Sequence, residues 1–329
     1  MGGMTAAAER DALWDAVLAS KFDRIERLLL KKRNENENGA PLSERAFHEQ
    51  TTPPRERAQI VAWPDAVRAV PNCFLRSALF GAIAKGRRRK LEDELVAAVD
   101  GIELIFRGAQ LDQVDLDLWE TVLHAVRMQD LGSECRLTSY ALLKTMGKTD
   151  TGKNRKTLEA GIVRLVGCAV TLRQGRYKYI GSLISGAATD TVTGQWVISI
   201  DPKMRPLFET DQFTQIDWEM RRKLRGQQLA QWLHGFYSSH AKPYPVKVAT
   251  LLQLAGCSDK SRSSALQTLR KALDSVQSAH TLLDLDERGK AVAACSFTYK
   301  IIGDLVHVDR APSVAQKRHL AKKQLSGRR

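Results

Sequence analysis

The 329-residue chain is short of the features that mark membrane, secreted and metal-bound proteins. Its apolar stretches are brief, such as LVAAV at 95–99, and charge interrupts them; a membrane span needs about 20 residues. The first residues, MGGMTAAAERDALWD, bring acids early and no apolar core segment, which predicts no secretory signal. Five cysteines (73, 135, 168, 257 and 295) are an odd number with no C-x-x-C. They make no disulfide framework and fit a reducing cytosol. The histidines form no H-x-H or H-x-x-x-H pair, so a zinc site is not expected. No G-x-S-x-G elbow occurs, and no His-hydrophobe-His pair stands beside a tyrosine, as a nicking enzyme would need. The expectation is a soluble intracellular protein with no membrane partner, no metal, no cofactor and no catalysis.

What is there is positive charge. Lys and Arg number 51 against 37 Asp and Glu, a formal charge of +14. Apolar content of 43% and charged content of 27% are ordinary for a globular chain. The excess points to a polyanion, with nucleic acid first. It is unevenly placed. Residues 1–60 carry ten basic and ten acidic side chains, whereas 311–329 carry six basic ones and no acid. Basic clusters also sit at 85–90 and 153–178.

The hydrophobic pattern predicts an amphipathic helix over 7–33, then a flexible linker to residue 60. Residues 100–107 alternate like a strand. A helix follows over 111–128, then a short helix over 137–146 with Thr138 as its cap, a turn at 147–151 and a helix over 152–166. Strands follow at 168–174, 176–184 and 195–200. That is the order of a winged helix, a relative of the helix-turn-helix. It recurs as a long helix over 216–240, ended by Pro243 and Pro245, a short helix over 246–255, a turn at 256–258 and a helix over 260–278. A hairpin of 281–285 with 291–302 then completes a wing, and 305–308 adds a short strand. The fold class read is α+β, mainly α: two tandem winged-helix domains with an N-terminal helical extension. The expected boundaries are 1–60, 61–210, 211–310 and a basic tail at 311–329.

On the helix over 260–278, Leu266, Leu269, Leu273 and Val276 share one face at 100° per residue. The opposite face holds Lys260, Ser264, Gln267, Thr268 and Lys271, with Arg262, Ser263 and Arg270 beside it. Ser, Thr and Gln can bond base edges, while Lys and Arg reach phosphates or guanine. An ordinary solvated helix face is the competing reading. On the helix over 152–166 the outward residues include Lys153, Arg155 and Lys156. This face suits phosphate contact, and a dimer or domain interface competes equally. The stretch 147–154, GKTDTGKN, nearly spells a phosphate-binding G-x-x-x-x-G-K-[ST] loop. Asn154 lacks the needed hydroxyl, and the preceding segment is helical rather than a strand. The turn of a helix-turn-helix is the better reading. His240 reads as a helix-end cap or packed residue.

Two strings, WPDAVRAVPNCFLRSALF (63–80) and FYSSHAKPYPVKVATLLQLAGCSD (236–259), closely resemble the TrfA family of plasmid replication initiators. GDLVHV at 303–308 resembles the end of that family's domain. The resemblance spans about 61–310. It implies two winged-helix domains that bind repeated origin sequences (iterons) in double-stranded DNA. It also implies opening of an adjacent A+T-rich segment, contact with the opened single strand, a monomer–homodimer equilibrium, and recruitment of host DnaA, the DnaB helicase and the sliding clamp. One member of the family carries a clamp-binding stretch of the form QLSLF just before the WPD string. Here that stretch is AQIVAWPD (58–65), without the Leu-Phe pair. A winged-helix transcriptional repressor without initiator activity is the alternative.

Overall fold

A computed structural model describes residues 60, 62–84, 86–99, 101–128, 134–257, 262–283 and 297–326, the side chains of 262, 282, 283, 325 and 326 excepted. They fall in one compact unit, 57–329. The expected helix at 7–33 and nearly all of the linker lie outside the described residues.

The chain runs through β1 (Val67–Pro71), α1 (Asn72–Leu75), β2 (Phe80–Gly81), β3 (Lys90–Leu95), β4 (Ile102–Ala109) and β5 (Leu111–Asp112) into α2 (Gln113–Val126). Then come β6 (Cys135–Thr138), α3 (Ser139–Thr145) and α4 (Gly152–Gly167). Strands β7 (Ala169–Gln174), β8 (Tyr177–Gly181), β9 (Gly186–Asp190) and β10 (Gln195–Ser199) lead to β11 (Phe213–Asp217), α5 (Trp218–Lys223) and α6 (Gln228–Ser238). Last are β12 (Val246–Lys247), α7 (Val248–Leu254), α8 (Arg262–Leu283), β13 (Phe297–Ile302), β14 (Leu305–Arg310) and α9 (Val314–Ser326). The architecture is mixed helix and strand, an α+β fold.

Local chemistry sets these boundaries. Asp112 and Asp115 close a reciprocal capping box on α2 (Asp112 accepts from the Val114 N–H at 2.9 Å, and Asp115 accepts from the Asp112 N–H at 3.1 Å). Thr138 caps α3 by accepting from the Ala141 N–H at 3.1 Å, and Thr151 caps α4 by accepting from the Asn154 N–H at 3.2 Å.

Two apolar clusters form. The first gathers β1, α1, α2, α3, α4 and the antiparallel sheet β3-β4-β7-β8 around Trp119, which is fully buried and packs on Phe74 and Phe208. Truncating such an indole to alanine costs about 3–5 kcal/mol. The second gathers α5, α6, α7, α8 and the sheet β12-β14-β13. There Leu269, Leu273 and Val276 of α8 are fully buried and Leu266 is half-buried, the inward face read from the 100° pattern.

The structure departs from the sequence reading in four places. The expected long helix 216–240 is a strand, a one-and-a-half-turn helix and a second helix. Gly226, at φ +82°, breaks the helical path, and the Asp217 carboxylate caps α5 on the Met220 N–H at 2.8 Å. Its first residues instead pair as β11 with β1, antiparallel. The hairpin β7–β8 joins β4 rather than flanking the helices. The strand before α3, β6, pairs with β10, and β10 pairs with β9. Helix α8 continues to Leu283, so 281–283 are not strand, and β13 pairs directly with β14 across Gly303. The basic tail is a helix, α9, over thirteen of its residues.

Candidate nucleic-acid interface

Helix α8 offers the more varied polar face. Ser263, Ser264, Gln267, Arg270 and Lys271 are exposed and Thr268 is half-exposed. Lys260 and the side chain of Arg262 lie outside the described residues. The Thr268 hydroxyl donates to the Ser264 carbonyl at 2.8 Å, and the Ser275 hydroxyl donates to that of Lys271 at 2.9 Å, so both small side chains fold back on their own helix. The one acid on this stretch, Asp274, accepts from the Tyr299 hydroxyl of β13 at 2.6 Å. Burial and that bond push the Tyr299 phenol up to about 12. Gln267 is thereby left as the long hydrogen-bonding side chain at the centre of a face of small and cationic residues.

Helix α4 is built differently. Lys153, Arg155 and Lys156 are all exposed, but their charges are not equivalent. Arg155 forms a two-bonded pair with Asp150 (2.6 and 2.7 Å), which holds the carboxyl below its ordinary range and raises the guanidinium. Lys153 and Lys156 line an open groove with Gly152, Thr157, Ala160 and Arg164. Arg164 is itself engaged, donating to Asp115 at 2.6 Å. Asp115 also binds Arg88 at 2.7 Å, and Arg88 binds Asp112 at 2.7 Å. Arg89 pairs with Glu94, and Lys90 with Glu92. Much of the basic knot at 85–90 is thus neutralised.

The GKTDTGKN stretch is the turn between α3 and α4. Gly147 sits at φ +63°, and the Asn154 amide donates to the Thr149 carbonyl at 2.7 Å. Each of the two turns is held by residues distant in the chain. At the first, Arg225, just past α5, donates to the Gly147 carbonyl at 2.8 Å and to that of Met146, satisfying carbonyls at the end of α3. At the second, Gly256 (φ +72°) lies over Gly81, the Ala82 N–H donates to the Ala255 carbonyl at 2.7 Å, and the Cys257 thiol donates to the Ala82 carbonyl at 3.1 Å.

Between these turns runs a buried ionic joint that sequence reading missed. Arg221 of α5 is fully buried and donates to Asp117 of α2 at 2.6 Å and to the side chain and carbonyl of Gln113 at 3.1 and 3.2 Å. It stands 3.4 Å from Glu120, also fully buried. Burial pushes the Glu120 carboxyl up to about 7, against the pull of Arg221. The signal was present as two acids, Asp117 and Glu120, placed among the apolar positions of α2.

The recognisable strings belong to this scaffold rather than to the exposed faces. The Trp63 indole donates to His124 at 3.1 Å, and His124 and Arg127 both bind Asp65, at 3.0 and 2.5 Å. Burial holds His124 down to about 4, so it is neutral here. His240 contacts the Phe236 carbonyl at 2.7 Å beyond α6, and burial lowers it to about 4. Among the described residues there is no cluster of three His, Cys, Asp or Glu able to hold a metal, and no helix long and apolar enough to cross a membrane.

These features define an α+β chain whose two apolar clusters are joined by a buried polar network. Residues 56–291 match the TrfA protein family, and the chain belongs to that family of plasmid replication initiators. It is 30% identical over 211 residues to the plasmid replication initiator protein TrfA of Escherichia coli, an alignment covering 62% of this chain and 54% of that protein. The chain therefore spans about half the length of that relative. Among solved structures it is similar to domains 2 and 3 of RctB (TM-score 0.49, 13% identity, 74% of this chain and 99% of that one). It is also similar to the Pi initiator protein, crystallised in complex with iteron DNA (TM-score 0.43, 11% identity, 60% and 91%).

Proposed function

We propose that this chain initiates plasmid replication by binding repeated sequences in double-stranded origin DNA through two winged helices, 61–210 and 211–310. Helix α8 enters the major groove, where Gln267 reads a base edge, Ser263, Ser264 and Thr268 line the contact, and Lys260, Arg262, Arg270 and Lys271 meet phosphates or guanine. Helix α4 grips the backbone through Lys153 and Lys156. In this reading the 186–199 hairpin, paired through β10 with β6, serves as the wing of the first unit and β13–β14 as that of the second. Bound this way, the protein helps open the adjacent A+T-rich segment and brings DnaA, the DnaB helicase and the sliding clamp to it, working as a DNA-binding protein without a catalytic step.

The observation that carries this reading is the division of α8. Leu269, Leu273 and Val276 are fully buried, while Ser264, Gln267 and Lys271 on the opposite side are exposed. Selection from a random duplex library should enrich a discrete sequence, and footprints on the origin of the parent plasmid should show it repeated. Binding that is sequence-blind and purely salt-sensitive would sink the proposal. Whether the gene, supplied in trans, maintains a plasmid carrying only that origin separates an initiator from a repressor with the same DNA-binding units.

A further inference from the structure

Helix α9 carries charge that neither α4 nor α8 accounts for. It is held to the body along one side. The Gln316 amide donates to the Ser238 carbonyl at the end of α6 (2.8 Å), and its oxygen accepts from Ser313 and Arg310 (3.0 and 3.3 Å). His319 binds the carboxylate of Asp211 at 2.9 Å. Asp211 is itself fixed in a turn at φ +68°, where its carbonyl accepts from the Asn72 amide at 2.9 Å.

At 100° per residue, Gln316, His319, Leu320 and Lys323 share the docked side. Val314, Ala315, Lys317, Arg318, Ala321 and Lys322 then make up the outward side. All six are exposed, and Lys317, Arg318 and Lys322 span an arc of about 140°. No acid occurs after Asp309, and none of these three cations has an ion pair among the described residues. Small side chains lie between them, so a flat polyanion can approach the helix without steric obstruction. Only Leu320 offers a large apolar side chain to the docked side among the described residues, so packing alone gives this helix little reason to stay ordered.

We propose that the outward face of α9 is a separate phosphate-binding surface for duplex DNA, with Lys317, Arg318 and Lys322 contacting the backbone outside the segment read by α8. This rests on the DNA-binding reading above but not on the assignment of α8. Each backbone contact adds about 0.9 to the slope of log K against log salt on duplex DNA. It carries no base information.

The test uses the full chain with Lys317, Arg318 and Lys322 all changed to alanine, titrated at several salt concentrations. The probes are a short random-sequence duplex, the selected duplex and a single strand of the same length. The expected result is a slope on both duplexes lower by about 2–3, with the ratio of selected to random affinity unchanged. A variant with Lys317 and Lys322 changed to arginine should keep the wild-type slope. An unchanged duplex slope overturns the proposal, as does a loss confined to the single strand or a fall in the selected-to-random ratio. The Gln267→Ala variant run alongside keeps the two assignments apart. If it leaves the ratio intact while the triple alanine variant lowers the slope, α8 is misassigned and α9 stands.

Discussion

Gly147 and Gly256 each stand in a turn between a short helix and a longer one, both at positive φ, yet they are gripped by unlike chemistry. Around Gly147 the neighbours are the guanidinium groups of Arg222 and Arg225; around Gly256 they are Gly81 and Ala78. The first turn is held by charged donors on flexible side chains, the second by close backbone packing. The helices that follow the two turns differ in a matching way. Helix α4 presents two lysines with no ion pair among the described residues and an arginine tied to Asp150, while α8 presents a glutamine among small hydroxyls and cations. The proposed function divides two tasks between these helices, holding the backbone for α4 and reading the bases for α8. Arg221 bridges the two clusters they belong to.

The largest expected effect is on the joint itself. Arg221→Ala leaves Asp117 and Glu120 without their buried cation and should cost about 3–5 kcal/mol in urea unfolding. Both units should weaken together. Loss from one cluster alone would show that the joint does not couple them.

Acid should separate the two clusters. Burial lowers His234 well below its ordinary value and His240 to about 4, both in the second cluster's surroundings. The stability each contributes is full above about pH 6.5 and is lost as pH falls toward its folded value. In the first cluster, His124 behaves alike, but Glu120 opposes it: a carboxyl at about 7 keeps its proton when folded, adding stability as pH falls from about 7 toward 4.5. The net effect is a loss of about 1–3 kcal/mol per pH unit between pH 6 and 5. Hydrogen exchange should show α6 and α8 opening before α2. Glu120→Gln should narrow that gap, since His124 then acts unopposed in the first cluster against His234 and His240 in the second.

At the DNA, Gln267→Ala should cost about 1–3 kcal/mol on the selected sequence and almost nothing on random duplex. Lys153→Ala with Lys156→Ala should lower the salt slope by about 2 on both. Adding Arg155→Ala should change the slope least, because Asp150 already neutralises that guanidinium; a further fall of about one would show the pair opens on binding.

The turns give the smallest stability contrast. Alanine at either glycine meets the left-handed penalty of about 1 kcal/mol. At Gly147 the new Cβ also lies 2.9 Å from the Arg222 guanidinium and 3.0 Å from that of Arg225, whereas at Gly256 the nearest atom is 3.6 Å away. Thermal melts should therefore place Gly147→Ala below Gly256→Ala. The reverse order would mean the arginines yield freely.

Much of this was legible in the sequence. The inward faces of α2, α4 and α8 follow directly from spacing, and Thr138 and Thr151 announce their helices because caps are local chemistry. What stayed hidden depends on partners distant in the chain. Nothing local distinguishes Arg221, buried against α2, from Arg222, exposed. Helical periodicity across 216–240 masked the break because Gly226 and the pairing of β11 with β1 act against propensity. The hairpin β7–β8 follows the helix in sequence, yet its pairing with β4 is decided sixty residues earlier.

The central claim is that α8 reads bases while α4 holds the backbone. The most direct measurement is the affinity of Gln267→Ala and of the Lys153→Ala, Lys156→Ala pair for selected and random duplex across a salt series. The account predicts that the glutamine variant loses the selected-to-random ratio at an unchanged slope, and that the lysine pair loses slope at an unchanged ratio. Two variants that shift ratio and slope alike would contradict it.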